Sequence, residues 1–245
     1  MQAPSRRERV RAATTEEIKQ TARRLLVAEG PDAVSLRAIA REMGMTAPAL
    51  YRYFGSHEDL IGHVVADIFT EIANDVRAAI ETAGQASCGD VTHKLVAACQ
   101  EFRRWSLTHR EEFGLLFGSP LPTVEAAMDR DDVIAACAVK FAGTFFTLFL
   151  DLWQHHSFAV PADDEFDPGL REQLVRYRDS LGVEDLPVGA VFTFLWCWVR
   201  LYGMVSLEVF GHLSFALDDA SPLFERTLME LAAMLGRTYP PPADH

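Results

Sequence analysis

The chain has 245 residues, of which 49% are hydrophobic, so it can bury a sizeable core in one large domain or in a small domain joined to a larger one. Its four widely spaced cysteines form no CxxC pair, which argues against a zinc site or a disulfide framework and fits a reducing compartment. The net charge of −12 is unevenly distributed, because the first 56 residues hold ten Lys/Arg and six Asp/Glu and carry +4, which leaves −16 for the rest. A basic end can neutralise phosphates while an acidic body stays in solvent.

The N-terminal part of the chain is predicted to form four helices, because capping residues and helix breakers alternate along it. The capping box Thr14-x-x-Glu17 opens the first helix, and Gly30-Pro31 ends it. Ser35 caps the second helix, which stops at Gly44. The predicted helices cover, in order, about Thr14–Glu29, Leu36–Met43, Thr46–Phe54 and a segment that opens with Ser56-x-x-Asp59.

The rest of the chain is also predicted to be helical, with longer and more apolar segments. No segment alternates polar and apolar residues as a half-buried strand does, so the predicted fold class is all-α. A capping box at Ser87-x-x-Asp90 opens the first of these segments. The predicted segments are Val91–Trp105, Glu111–Phe117, Thr123–His155, Asp167–Leu181, Pro187–His212 and Ser221–Gly236.

Two apolar runs, Val133–Trp153 and Val191–Phe210, are each about as long as a membrane-spanning helix. Each contains two charged residues: Lys140 and Asp151 in the first, Arg200 and Glu208 in the second. Charges at such depth are expensive in lipid, whereas a buried helix of a large bundle tolerates them when they are paired. No membrane association is therefore expected, and no signal peptide either, because no apolar stretch follows the basic N-terminus.

The stretch from Ser35 to Leu60 is typical of a helix-turn-helix. Glycine in Gly44-Met45-Thr46 supplies the left-handed conformation that a sharp turn needs, and Thr46 caps the helix that follows. In such a motif the second helix presents its N-terminal residues to base edges in the major groove. Leu50 and Phe54 are predicted to face inward. The residues left available to DNA are Thr46, Ala47, Pro48, Tyr51, Arg52 and Tyr53.

The run Leu50-Tyr51-Arg52-Tyr53-Phe54, followed by Ser56-His57-Glu58-Asp59-Leu60 and preceded by Ser35…Ile39-Ala40…Gly44, closely resembles the DNA-binding domain of TetR-family repressors over about Thr14–Val64. The resemblance implies that Tyr51 and Tyr53 hold phosphates, and that Ser35 and the start of the fourth helix add backbone contacts. Many members have Lys at the position of His57, so that contact is expected to be weaker or pH-sensitive here. Arg37 completes the predicted DNA-binding set.

The stretch from Trp198 to Leu213 resembles the Trp-x-x-x-His-Gly pattern of one TetR C-terminal subgroup, with Tyr202 where His is usual. Repressors of this family are controlled by small molecules, so an aromatic-lined cavity among the C-terminal helices is expected, although each single aromatic is more often a core residue. Arg200 and Asp151 stand alone in their apolar runs and either pair with each other or anchor a ligand. The predicted ligand-binding residues are Phe102, Trp105, Phe145, Phe149, Trp153, Trp198, Arg200 and Tyr202.

The resemblance implies a homodimeric, cytoplasmic, ligand-responsive transcriptional repressor without enzymatic activity, cofactor or bound metal. Residues 1–60 are predicted to form a three-helix DNA-binding domain, and residues 61–245 a larger ligand-binding and dimerisation domain. The dimer is expected to use Pro187–His212 and Ser221–Gly236, with Leu228, Leu231 and Leu235 in its seam, and to bind double-stranded DNA at an inverted-repeat operator.

Several alternatives remain open at the level of sequence. Arg6, Arg7, Arg9 and Arg11 form either a solvated tail or an arm laid along DNA. The histidines and the acidic segment Asp129–Asp132 match no compact metal-ligand spacing and are interpreted as surface residues. The second functional hypothesis is an enzyme or metabolite-carrying module fused to the helix-turn-helix, and the third is an activator or a ligand-free architectural regulator.

Overall fold

The computed structural model describes residues 5–30, 34–118 and 133–239, and its regular structure is entirely helical. No β-strand occurs in these ranges, so the predicted all-α class is confirmed. The described residues also include a short 3-10 turn at Asp163–Glu165. Residues 5–30, 34–118 and 133–239 contain ten α-helices: α1 (Arg6–Glu29), α2 (Leu36–Glu42), α3 (Ala47–Leu50), α4 (His57–Ala86), α5 (Val91–Thr108), α6 (Arg110–Phe117), α7 (Val133–His155), α8 (Pro168–Ser180), α9 (Val188–Val209) and α10 (Ser221–Met234).

Helix α1 begins two turns earlier than the sequence predicted. Ser5 and Glu8 form a reciprocal capping box, in which Ser5 Oγ accepts from the Glu8 N–H at 3.3 Å and Glu8 Oε2 accepts from the Ser5 N–H at 2.7 Å. The hydroxyls of Thr14 and Thr15 instead donate to backbone carbonyls one turn back, each at 3.0 Å. The predicted start at Thr14 is therefore wrong, and the arginines before it lie on a helix rather than on a tail or an extended arm.

The other helix boundaries differ from the predicted ones by a few residues. Helix α5 begins at Val91 because Asp90, not Ser87, occupies its N-cap and accepts from the His93 N–H at 3.0 Å. Ser221 is the first residue of α10, and Asp219 accepts its N–H at 2.9 Å. The predicted start of α7 at Thr123 and the acidic segment Asp129–Asp132 lie outside the described residues.

Helix α1 packs on α4 and α2, and α2 packs on α3, around apolar side chains that form the N-terminal part of the main hydrophobic core. Leu50 and Phe54 are buried in it, which confirms that they face inward. Helix α4 then continues without a break into the C-terminal body, where it packs on α5 and α7. The other members of the N-terminal core include Ile18, Ala22, Leu26, Ile39, Ala40 and Leu60.

The C-terminal body is built around aromatic side chains. The ring of Phe102 on α5 lies 5.7 Å from that of Phe141 on α7 and 5.9 Å from that of Trp198 on α9. Helix α9 also packs on α8 and α10. Helices α7 and α9 are long and apolar enough to cross a membrane, which is weak evidence because core helices of soluble bundles pass the same test.

Two charged residues of the apolar helices, Arg200 on α9 and Asp151 on α7, each pair with a neighbouring side chain. Arg200 donates through Nη2 to Glu230 Oε2 on α10 and through Nη1 to Met234 Sδ at 3.5 Å. Asp151 lies 3.1 Å from His155 Nδ1, one turn further along α7. Of the two alternatives that the sequence left open, the pairing of Arg200 with Asp151 is therefore wrong, since Arg200 pairs with Glu230 and Asp151 with His155.

Candidate nucleic-acid interface and ligand cavity

The turn between α2 and α3 has the geometry of a glycine helix stop. Gly44 has a φ of 64°, in the left-handed region that favours glycine. The Met45 N–H donates back to Ala40 O at 2.8 Å, and the Gly44 N–H donates to Arg41 O at 3.3 Å. These two bonds end α2 and send the chain sharply into α3, as the sequence predicted for Gly44.

The short helix α3 is open to solvent at both of its ends. Thr46, Pro48 and Arg52 are exposed, and Tyr51 is 56% exposed, whereas Ala47 is half-buried. Thr46 occupies the N-cap position, but its side chain makes no capping hydrogen bond, contrary to the prediction. Its hydroxyl is thus left on the surface. A short helix without bulky side chains in its first turn allows the backbone to approach another surface closely.

Tyr53 is less exposed than Tyr51 because a side chain of α1 packs on its ring. Its ring is half-buried, and the Arg11 guanidinium lies over it, 5.9 Å from the ring centroid. Arg11 Nη2 also donates to Arg52 O at 3.2 Å. Arg11 is exposed, so it adds positive charge beside α3 while it holds the end of that helix. The sequence identified Arg11 only as part of a basic tail, because the extension of α1 that positions it was missed.

The remaining predicted DNA-binding residues occupy different environments. Arg37 is exposed, and Ser35 is exposed while its Oγ accepts from the Ala38 N–H at 3.2 Å and caps α2. His57 is half-buried, and its Nε2 donates to Val34 O at 2.7 Å. This bond fixes the ring against the loop before α2. A flexible lysine at the same position would be free to reach a phosphate, whereas this hydrogen bond holds the His57 side chain against Val34.

A network of charged residues joins α1 to the C-terminal body. Arg23 Nε donates to Glu112 Oε1 on α6 at 3.1 Å, and Arg23 Nη2 donates to Glu71 Oε1 on α4 at 2.9 Å. Glu112 is buried, and Trp105 Nε1 donates to Glu71 Oε1 at 3.3 Å. The Arg23 guanidinium lowers the pKa of Glu71. This network could not be predicted from the sequence, because no sequence motif links residues that lie on three separate helices.

An apolar cavity of about 70 Å³ lies between α5, α7, α9 and α10. The lining residues that carry polar groups are Thr92, Trp198, Arg237 and the two cysteines, Cys99 and Cys197. Burial raises the pKa of both thiols to about 12, so they are uncharged at neutral pH. Ligand pockets usually measure roughly 300 Å³ or more. An organic ligand therefore enters only if the helices move apart.

Only some of the predicted ligand-binding residues meet at this cavity. Phe145, Phe149 and Trp198 line it. The other five lie elsewhere: Phe102 and Trp105 are fully buried in the aromatic core, Trp153 packs on Phe158, Arg200 pairs with Glu230, and Tyr202 donates to Phe117 O. Aromatic content alone did not distinguish core from cavity, because both are apolar and both lie on the same helices.

The outer faces of α9 and α10 expose apolar side chains. On α9 these residues follow a helical spacing of three and four, interrupted by Gly203, where a Cβ would meet open space. Leu228, Leu231 and Leu235, predicted to form a dimer seam, are instead buried and line the cavity, so that assignment is wrong. The exposed residues are Trp196, Val199, Leu207 and Phe210 on or at the end of α9, and Leu223 and Met229 on α10.

Two protein-family models match the chain. The model described as bacterial regulatory proteins, tetR family, matches residues 12–64. The model described as tetracyclin repressor-like, C-terminal domain, matches residues 95–231. The first match contains the helix-turn-helix and the start of α4, and the second covers most of the helices that form the cavity.

Individual proteins match over almost the same length. An HTH-type transcriptional regulator from Mycobacterium tuberculosis is 30% identical over 222 residues, which cover 89% of this chain and 90% of that protein. A regulator of the same description from Mycobacterium bovis gives the same values. The crystal structure of a regulatory protein designated SCO4313 is 29% identical with a TM-score of 0.68, and the match covers 94% of this chain and 100% of that one.

Proposed function

The chain belongs to the TetR family of bacterial transcriptional regulators, and we propose that it is a homodimeric repressor released from an inverted-repeat operator by a small, largely apolar ligand. Its relatives are transcriptional regulators and not enzymes, so the hypothesis of a fused enzyme is set aside. Repression, dimerisation and ligand response are typical of the family, whose members are soluble cytoplasmic proteins. We place this chain in the cytoplasm on that basis.

The observation that carries the proposal is the exposed surface of α3 after the Gly44 turn, from Thr46 at its N-cap to Tyr51 and Arg52 at its C-terminal end. Thr46, Tyr51 and Arg52 offer hydroxyl and guanidinium donors there, which suit phosphate oxygens. Ala47 and Pro48 are small, so the helix can approach base edges in the major groove. In this proposal residues 1–60 form the DNA-binding domain, and Ser35, Arg37, Tyr53 and His57 complete its contact set.

The tyrosine contacts make the first testable prediction. Tyr51→Phe and Tyr53→Phe should each weaken operator binding by about 1 kcal/mol, because each removes one hydroxyl hydrogen bond. Binding of the wild type should fall steeply with added salt through counterion release. Gel-shift titrations on a DNA sequence that the wild type selects from a random pool measure both effects. Tyr177→Phe, on α8 far from α3, is the control and should bind like the wild type. Wild-type affinity in both test variants would remove the assignment.

Dimerisation is proposed to use the exposed faces of α9 and α10 within the larger domain, residues 61–245. The ion pair between Arg200 and Glu230 ties the two helices to each other, so they can act as one surface. Gly203 lets a second helix approach the α9 backbone closely. A two-fold axis through this surface places two copies of α3 on successive major grooves, which is why an inverted repeat is expected.

Control by a ligand is proposed to act through a shift between two conformations. In one of these conformations the two α3 helices are wrongly spaced for DNA, and a ligand that binds better to that conformation lowers the affinity for DNA. By linkage, bound DNA lowers the affinity for the ligand by the same factor. The cavity beside the proposed dimer helices is the proposed site, with Phe145, Phe149 and Trp198 in its wall. The resemblance of the segment around Tyr202 to the Trp-x-x-x-His-Gly subgroup stays a prediction.

A further inference from the structure

Arg237 is directed into the C-terminal body by a helix stop of the same kind as the one in the helix-turn-helix. Gly236 follows α10 with a φ of 64°. The Arg237 N–H donates back to Ala232 O at 2.8 Å, and the Gly236 N–H donates to Ala233 O at 3.0 Å. The chain therefore reverses direction at the end of α10, and the Arg237 side chain reaches the first turn of α5.

The hydrogen bonds of Arg237 leave one edge of its guanidinium open. Nε donates to Thr92 Oγ1 at 2.8 Å, and Nη2 donates to Asp90 Oδ2 at 3.3 Å. Nη1 has no hydrogen-bond partner among the residues that the structure describes. The side chain is 26% exposed and forms part of the cavity wall. It is the only charged residue lining the cavity within the described ranges.

We propose that Arg237 anchors the anionic head of an amphipathic ligand whose apolar tail occupies the cavity between α5, α7, α9 and α10. The inference deepens the proposed ligand-responsive function and rests on it. Nearly all of the wall is aliphatic or aromatic and offers a tail no polar partner. A carboxylate or similar acceptor at the end of that tail finds a charge-assisted donor in Nη1. The head and the tail thus have separate binding partners at one site.

Asp90 does not prevent a second anion from binding to Arg237. Although partial burial raises the pKa of Asp90, hydrogen bonds from His93 and Thr92 outweigh that effect and lower it to about 2. Asp90 is therefore ionised at neutral pH, but it does not line the cavity, and it accepts from Nη2, which leaves Nη1 for a second acceptor. The chain already contains an arginine that serves two carboxylates, since Arg23 binds both Glu71 and Glu112.

The position of the anchor determines which helices a ligand moves. Leu228, Leu231 and Ala232 of α10 face the cavity from the side that also carries the Arg237 turn. Because the cavity is small, a bound tail pushes α10 and α9 away from α5 and α7. The outer faces of those two helices form the proposed dimer surface. Ligand binding is thereby coupled to the relative position of the two subunits.

The test compares two probes with the same tail and different heads, decanoate and decanol, on the full-length chain. Trp198 lines the cavity, so its fluorescence reports binding, and calorimetry gives the affinity. The wild type should bind decanoate more tightly than decanol. Arg237→Gln should weaken decanoate binding about ten- to a hundredfold, as expected for the loss of a charge-assisted bond, and leave decanol binding unchanged. Arg176→Gln, an exposed arginine of α8 that pairs only with Glu172, is the matched control.

A second variant tests the location of the tail. Ala232→Leu adds an isopropyl group to the cavity wall and should weaken both probes while the salt-bridging Arg237 stays in place. Unchanged decanoate affinity in Arg237→Gln overturns the anchor, and a folded wild type that binds neither probe overturns the ligand class. Operator binding without probe is measured in parallel. If the wild type binds no DNA, the proposed function fails, which is a different outcome from failure of the anchor alone.

Discussion

Replacing Leu207 with glutamate is expected to convert the protein to a monomer and to remove specific operator binding at micromolar concentration. Leu207 is 43% exposed on the apolar face of α9, one turn after Gly203. In a two-fold dimer each glutamate is buried near its symmetry mate without a positive partner, which weakens association by about 3 kcal/mol or more, over a hundredfold in Kd. A monomer retains one α3 helix and loses the gain from binding two half-sites together.

Sedimentation velocity and gel shifts on the same samples check this result. The matched control is Leu170→Glu, because Leu170 is 38% exposed on α8 and lies outside the proposed dimer surface. The control should stay dimeric and bind DNA. A Leu207→Glu protein that sediments as a dimer would show that the subunits meet elsewhere.

The second large effect is expected from Arg23→Met, which should lower the free energy of unfolding by about 3–5 kcal/mol because it leaves the buried Glu112 carboxylate without its positive partner. Urea unfolding followed by circular dichroism measures the loss. Adding Glu112→Gln to Arg23→Met should restore part of the stability, since the buried charge is then gone. A single variant as stable as the wild type would contradict the role of this network.

The other ion pair of Arg23, with Glu71, predicts a pH dependence with a definite sign. Hydrogen bonding to Arg23 lowers the pKa of Glu71 below its ordinary value of 4.5. The stability that the pair contributes is therefore fully present above pH 4.5 and is lost as the pH falls through the lowered pKa. Arg23→Met should make the unfolding free energy less dependent on pH in this acid range. Unfolding titrations of the wild type and the variant across that pH range measure this dependence. The same change of unfolding free energy with pH in both proteins would contradict the prediction.

The sequence predicts local features of this fold well, because they depend on residues close together in the chain. Gly44 was identified as the turn of the helix-turn-helix from its place between two capped helices. Leu50 and Phe54 were assigned to the core from their spacing alone. The start of α1 was missed although Ser5-x-x-Glu8 is a capping box, because the residues after it have no apolar stripe to mark them as helical.

Features that join distant helices could not be predicted from the sequence. Arg200 lies in an apolar run, so it looked like a ligand anchor, yet a partner on α10 occupies it. Arg237 lines the cavity and Arg200 does not, so Arg237 is the arginine proposed to anchor a ligand. Its position depends on how the end of α10 meets the start of α5. Trp105 and Trp198 are on neighbouring helices with similar apolar surroundings, and only the three-dimensional packing places one in the core and the other at the cavity.

The most direct test of the central claim is a footprint of the purified protein on DNA that it selects from fragments of its own genome. A homodimeric regulator with α3 as its recognition element should protect an inverted repeat whose half-sites lie about one helical turn apart or somewhat more. Tyr51→Phe and Leu207→Glu should weaken the protection of both halves together. Selection of no DNA, or protection of a single asymmetric half-site by the wild type, would contradict the account.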